Sequence, residues 1–300
     1  MTSSFSGIWP ILYAFFDRHD RLDRTLMGRQ TELCVQSGGR GMAVLGLATE
    51  VAKLSPAERR QVVEWAAGDL AGRLPLAVTI FGPTPEAQLD AVSHAAAHGA
   101  SLAILQPPRT PGMSEADLQV FFSAVMDRAT IPMAIQNAPE YLGIGLSPKA
   151  IAELARRHPN FRVLKGEGPA VLIRRVVEET EGRLAVFNGR GGLELPDNFR
   201  AGCAGLVPAP DCMDVHIALW AAMERGDEAE AERLYRDILP AIVFVMQSID
   251  HLICYGKRLV AARMGVPEVF DRAPVLAPTP FGLAAIARFA QRLGPFPTAP

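Results

Sequence analysis

The stretch FRVLKGEGPA (161–170) ends an apolar run on a single lysine, Lys165, and then turns through Gly166, Glu167, Gly168 and Pro169. Burial disfavours an ammonium relative to its free amine, and a free amine attacks a ketone to form a Schiff base. A strand-end lysine of this kind is either a nucleophile or an ordinary surface cation. A second candidate is the run Asn188-Gly189-Arg190-Gly191-Gly192. Glycines there let backbone N–H groups approach a ligand such as a phosphate, and a tight turn is the plain alternative. Asn188, at the end of its apolar run, suits contact with substrate hydroxyls. His94 and His98 stand four apart, the spacing of a helical metal pair. The sequence offers no third ligand beside them, so no metal is expected.

Eight short apolar runs must position these groups: 8–16, 41–47, 75–81, 101–106, 131–137, 161–165, 183–188 and 203–209. Their hydrophobicity is continuous rather than alternating, as strands covered on both faces require. Helical stretches lie between them. SPAERRQVVEWAAGDL (55–70) carries Ser55 as N-cap, Pro56 at the first position and Glu58 three residues after the cap, a capping box. Stretch 84–99 has Gly99 as a C-terminal stop, 114–129 is again Ser-capped with acids in the first turn, and 146–158 repeats the scheme. The alternation predicts a (β/α)8 TIM barrel, with a doubly wound open sheet as competitor; no G-x-G-x-x-G opens a helix after the first run. In a barrel the C-terminal strand ends face the mouth, which is where Lys165 falls. After about residue 213 the strand pattern stops. The expected division is a catalytic barrel over 1–224 and a C-terminal helical extension over 225–300. Its apolar segment ILPAIVFVM (238–246) has more hydrophobic surface than a lone exposed extension needs, which points to a subunit partner.

Composition narrows the partners. The 300 residues are 49% hydrophobic with a formal charge of −2, which gives no electrostatic case for nucleic acid or an anionic membrane. Cys34, Cys203, Cys212 and Cys254 form no C-x-x-C pair, so zinc and redox motifs are not expected and reduced thiols suit a cytosol. The start MTSSFSGIWP lacks the basic and apolar regions of a signal peptide, and no apolar run reaches membrane-span length. A cytoplasmic location is expected.

Taken in order, GIWPILYAFFDRHDRLD, GLATEVAKLSPAER (46–59), QPP (106–108), the N-x-P within QNAP (136–139), VLKGE (163–167) and FNGRGG (187–192) resemble the dihydrodipicolinate synthase / N-acetylneuraminate lyase family of class I Schiff-base aldolases and dehydratases. The match runs over nearly the whole chain. The resemblance implies that Lys165 forms an imine with a small 2-keto acid, that no cofactor beyond this imine is needed, and that the protein is a homotetramer. Departures are as informative. The family's carboxylate-holding hydroxyls fall at Leu47 and Ala48, with a hydroxyl displaced to Thr49, leaving backbone amides for the carboxylate. The family's proton-relaying tyrosine is replaced by Gln136, which cannot titrate. A second aromatic position is Arg109, whose guanidinium can grip a carboxylate or join a surface or inter-subunit ion pair. Glu50, retained from the family block, is expected to organise its loop.

The pattern is similar to that of dehydratases of 2-keto-3-deoxy sugar acids, in particular members like 2-keto-3-deoxy-L-arabonate dehydratase. These carry a glutamine on strand five and K-x-E on strand six. Lys165 and Glu167 are two apart and point the same way in an extended segment, so Glu167 is either a proton shuttle beside the imine or a loop acid. The resulting expectation is dehydration of a 2-keto-3-deoxy sugar acid by Lys165, Gln136 and Glu167, with Leu47, Ala48, Thr49, Arg109, Asn188 and Gly189 binding substrate. The alternatives are a pyruvate-releasing aldolase, a dihydrodipicolinate synthase-like condensation, and a non-catalytic barrel that binds a keto acid.

Overall fold

The structure, a computed structural model, describes residues 5–297. The apolar runs become eight parallel strands: β1 (Gly7–Ile8), β2 (Met42–Val44), β3 (Leu76–Ile80), β4 (Leu102–Leu105), β5 (Met133–Asn137), β6 (Phe161–Gly166), β7 (Ala185–Asn188) and β8 (Gly205–Leu206). Consecutive strands pair from β2 through β8, and β8 pairs with β1 through Gly7–Gly205 and Ile8–Leu206. The ring closes between the first run and β2. Ile11 pairs with Ala43, the Ala43 N–H donates to the Pro10 carbonyl (2.8 Å), and the Leu12 N–H donates to the Ala43 carbonyl (3.0 Å). The fold is the expected (β/α)8 TIM barrel with C-terminal helices.

The first strand is shorter than the apolar run 8–16 suggested. Pro10 has no N–H to give a ladder, and the chain beyond Leu12 leaves the sheet yet stays buried, with Tyr13, Phe15 and Phe16 all inside. Trp9 packs edge-on to Phe187, 6.0 Å between centroids, and with Ile104, Val163 and Val207 fills the barrel beneath Lys165. Helix starts follow the sequence signals. Ser55 and Glu58 form the reciprocal cap of Pro56–Leu70, and Thr84, Ser114 and Ser147 cap the helices Pro85–Ala97, Glu115–Met126 and Pro148–Arg157. Each cap satisfies N–H groups that the first helical turn leaves without partners.

Met213–Glu224 is followed by Glu228–Val245, a helical stretch Ile249–Arg263 with one π turn at Leu252–Gly256, and Pro280–Leu293. Among the described residues no single helix is long and apolar enough to cross a membrane. The apolar segment 238–246 does not present the free surface expected of it. Ile238, Ala241, Ile242 and Val245 are buried within the chain, and Val243 alone among its large apolar residues is exposed. The helix spends its apolar face on neighbouring helices of its own chain, chiefly Met213–Glu224.

Tyr13 donates its hydroxyl to Asp211 Oδ1 (3.1 Å), and both are buried. Burial pushes the Asp211 carboxyl from its ordinary 3.8 up to about 6. An acid raised on folding opposes folding once ionised, so its cost appears as pH climbs from about 4 through about 6 and is complete above that, to about 3 kcal/mol. Asp211→Asn keeps an acceptor for Tyr13 without the charge. Urea denaturation near pH 4 and near pH 8 should show the variant gaining on the wild type by up to that amount at the higher pH.

Candidate active site

Lys165 sits at the mouth end of β6, in register with Gln136 on β5 and Phe187 on β7. Phe161, Val163 and Lys165 share the interior face by alternation, while Arg162 is exposed. The Glu167 N–H donates to the Asn137 carbonyl (2.9 Å), so the ladder runs one residue past β6 and Glu167 faces as Lys165 does. Lys165 Nζ lies 2.5 Å from Glu167 Oε1, and both residues are about 5% exposed. That oxygen also accepts from Gln136 Nε2 (2.6 Å), and Gln136 Oε1 accepts from Gln106 Nε2 (2.8 Å). Gln106 is held in turn by Gln88, whose Nε2 donates to its carbonyl (2.8 Å). All are buried. Charge-assisted bonds in a buried network hold the carboxylate in one place. Gly189 is part of this fit, since a Cβ there would stand 2.9 Å from the Glu167 carboxyl carbon.

The cleft above Lys165 is lined by Leu47, Ala48, Glu167, Gly189, Arg190 and Ala209, and roofed from the C-terminal helices by Met246, Ile249 and Leu252. Thus Leu47, Ala48 and Gly189 come together with Lys165 and Glu167. Three predicted residues sit differently. The Thr49 hydroxyl donates into the wall, to the Leu12 carbonyl (2.6 Å). Asn188 is buried and its Nδ2 donates to the Gly168 carbonyl and to Asn198 Oδ1; it ties the β6 and β7 loops together. Arg109 is exposed, 5.8 Å from the Phe81 ring, and is not among the residues lining this cleft.

Sequence reasoning passed over several residues. Gln106 lay inside the quoted QPP, but its partnership with Gln136 depends on sheet order. Arg190 lines the cleft with its Nη1 on Glu194 (3.1 Å), and its buried Nε has no hydrogen-bond partner among the described residues. The Tyr141 phenol is raised by burial and then by the Glu167 charge, against a hydrogen bond from Arg190.

Glu50 takes the left-handed conformation at φ +56° and is buried between two cations. Lys53 Nζ reaches one of its oxygens at 2.6 Å and Lys257, fully buried, takes the other, with Asp271 3.7 Å from Lys257. This ties the loop carrying Leu47 and Ala48 to the helical stretch Ile249–Arg263. Removing one partner of a buried pair leaves the other charge uncompensated, at about 3–5 kcal/mol. Lys257→Met should lie at the low end, near 3 kcal/mol, because Lys53 still faces Glu50. Denaturant unfolding of that variant beside Lys53→Met, which should cost less, checks this.

The sequence profile of the Dihydrodipicolinate synthetase family matches residues 4–279. The chain is similar to the Escherichia coli (strain K12) protein named "Probable 2-dehydro-3-deoxy-D-pentonate aldolase YjhH", 24% identical over 280 residues, covering 91% of this chain and 92% of that one. It is also similar to the 4-hydroxy-tetrahydrodipicolinate synthase of Methanococcoides burtonii, 30% identical over 240 residues, covering 79% and 82%. Among solved structures, YagE, a prophage protein of the dihydrodipicolinic acid synthase family from E. coli K12 in complex with pyruvate, superposes with a TM-score of 0.89 at 22% identity, covering 96% of this chain and 98% of that one.

Proposed function

The chain belongs to the dihydrodipicolinate synthetase family, whose members are lyases and aldolases, and from that premise we propose that it is a Schiff-base lyase that dehydrates a 2-keto-3-deoxy sugar acid. The observation that supports this most is the Glu167 carboxylate held 2.5 Å from Lys165 Nζ by a glutamine that cannot titrate.

In this reading Lys165 Nζ adds to the C2 ketone and water leaves, giving a protonated imine. The imine withdraws electrons from the C3–H bond, and Glu167 takes that proton. The enamine electrons then return toward C3–C4 and expel the C4 hydroxyl, which accepts the proton from Glu167 and departs as water. Hydrolysis of the imine frees Lys165, so one water is lost overall. Backbone N–H groups around Leu47 and Ala48 receive the C1 carboxylate. Arg190, which lines the cleft, suits the hydroxyls at the far end. Asn188 and Gln106 hold their neighbours in place.

A second reading, aldol cleavage, draws on the name of the E. coli relative. It shares the imine and differs in that a base takes the C4 hydroxyl proton and C3–C4 breaks. Incubation with 2-keto-3-deoxy-pentonates, followed by mass spectrometry and a pyruvate assay, separates the two. Dehydration gives a product lighter by one water and no pyruvate. Equimolar pyruvate and aldehyde would replace it with the aldolase. Imine trapping without turnover of any sugar acid would leave a keto-acid-binding barrel.

A further inference from the structure

Away from the barrel mouth, the outer helices Pro56–Leu70 and Pro85–Ala97 bring three ligand-type side chains together. His94 stands in the last turn of the second helix, His98 is its C-cap, and Glu64 projects from the first. One donor atom from each lies within 4.8 Å of the others. Glu64 Oε1 is 3.7 Å from His94 Nε2, and the two imidazole rings are 4.3 Å apart at their centroids. The third ligand that the local sequence lacked therefore arrives from the neighbouring helix.

His98 is posed to ligate, whereas His94 Nε2 stands 3.4 Å from the Arg60 carbonyl, a long contact that a cation at that nitrogen would replace. His98 Nδ1 is 2.9 Å from the His94 carbonyl oxygen. A carbonyl only accepts, so Nδ1 carries the proton and Nε2 keeps its lone pair outward of that bond. Metal-bound histidines commonly have their other nitrogen anchored in this way. The nearby cation on the same helix, Arg60, is engaged with Asp90 at 2.6 Å. Among the described residues, His94 is the only group of opposite charge type within ion-pair distance of Glu64. His94 is partly shielded, while Glu64 and His98 are reachable from solvent.

We propose that Glu64, His94 and His98 bind a divalent d-block cation of the zinc class, which clamps the two helices together. Two imidazoles and one carboxylate, with water completing a tetrahedron, suit zinc. Magnesium and calcium prefer all-oxygen sites. None of the three residues lines the Lys165 cleft, so the ion adds stability and takes no part in turnover.

The test is isothermal titration of the full, metal-stripped protein with zinc chloride. One zinc per chain is expected, with affinity at least tenfold weaker in His98→Ala and in Glu64→Gln. Zinc at about a hundredfold excess over the wild-type Kd should raise Tm by about 5 °C in the wild type and by no more than about half of that in the His98→Ala variant. Magnesium should give no heat. Absence of stoichiometric zinc binding overturns the site, as does a titration of His98→Ala or Glu64→Gln that matches the wild type, because the ion then sits elsewhere.

Discussion

Lys165→Ala should lose at least about four powers of ten in kcat/KM, equivalent to about 5.5 kcal/mol of transition-state stabilisation. No other residue described at the cleft can replace its amine: Arg190 stays charged, and Lys53 and Lys257 are committed to Glu50. Borohydride with pyruvate should reduce a covalent adduct onto the peptide carrying Lys165, and the alanine variant should give none. Alanine also strands Glu167, a buried carboxylate, so the variant could lose activity by losing structure. Lys165→Arg separates the two effects. It keeps a cation opposite Glu167 yet makes no imine, and it should be folded, silent to borohydride and inactive. A turnover near wild type in either variant sinks the covalent mechanism.

Glu167→Gln should lower kcat by about a thousandfold, within the range a positioned acid/base group contributes. Size and most hydrogen bonds survive the change, and Lys165 remains able to condense. The signature is therefore a split: borohydride trapping with pyruvate persists while elimination fails. If Glu167 were only the counter-ion of Lys165, both would change together. Slower imine formation with an unchanged rate of elimination from the imine in single-turnover measurements would remove the carboxylate from the proton-transfer steps. Gln136→Glu at the neighbouring position offers a second carboxylate, and partial recovery of kcat in the double variant would strengthen the assignment of proton transfer to this edge of the cleft.

Much of this was legible from the chain alone because strand-end position is a local property. The continuous apolar runs placed Lys165 at a barrel mouth, and the two-residue spacing put Glu167 on its side. The helix caps at Ser55, Thr84, Ser114 and Ser147 were likewise written within a few residues of sequence. What escaped depends on register and on distance along the chain. The hydrogen bond from Gln106 to Gln136 exists because β4 and β5 pair as they do. The pairing of Lys257 with Glu50 spans 207 positions. The hydroxyl of Thr49 could be counted, but its turn toward the Leu12 carbonyl could not. Glu64 completed a cluster with His94 and His98 only once two outer helices were laid together.

The roof of the cleft has a bearing on how the protein is made. Met246, Ile249 and Leu252 close over Lys165, and Lys257 neutralises Glu50 beneath them. A growing chain that has left the ribosome only as far as β8 holds the nucleophile, its carboxylate and both glutamines. It lacks the cover and the buried cation that set the loop of Leu47 and Ala48. At ~5–20 residues per second, several seconds of synthesis separate the two stages. In the proposed mechanism, reactivity toward keto acids would therefore be acquired only after the eight strands are made, so that a nascent barrel has its lysine in place while its cleft is unfinished.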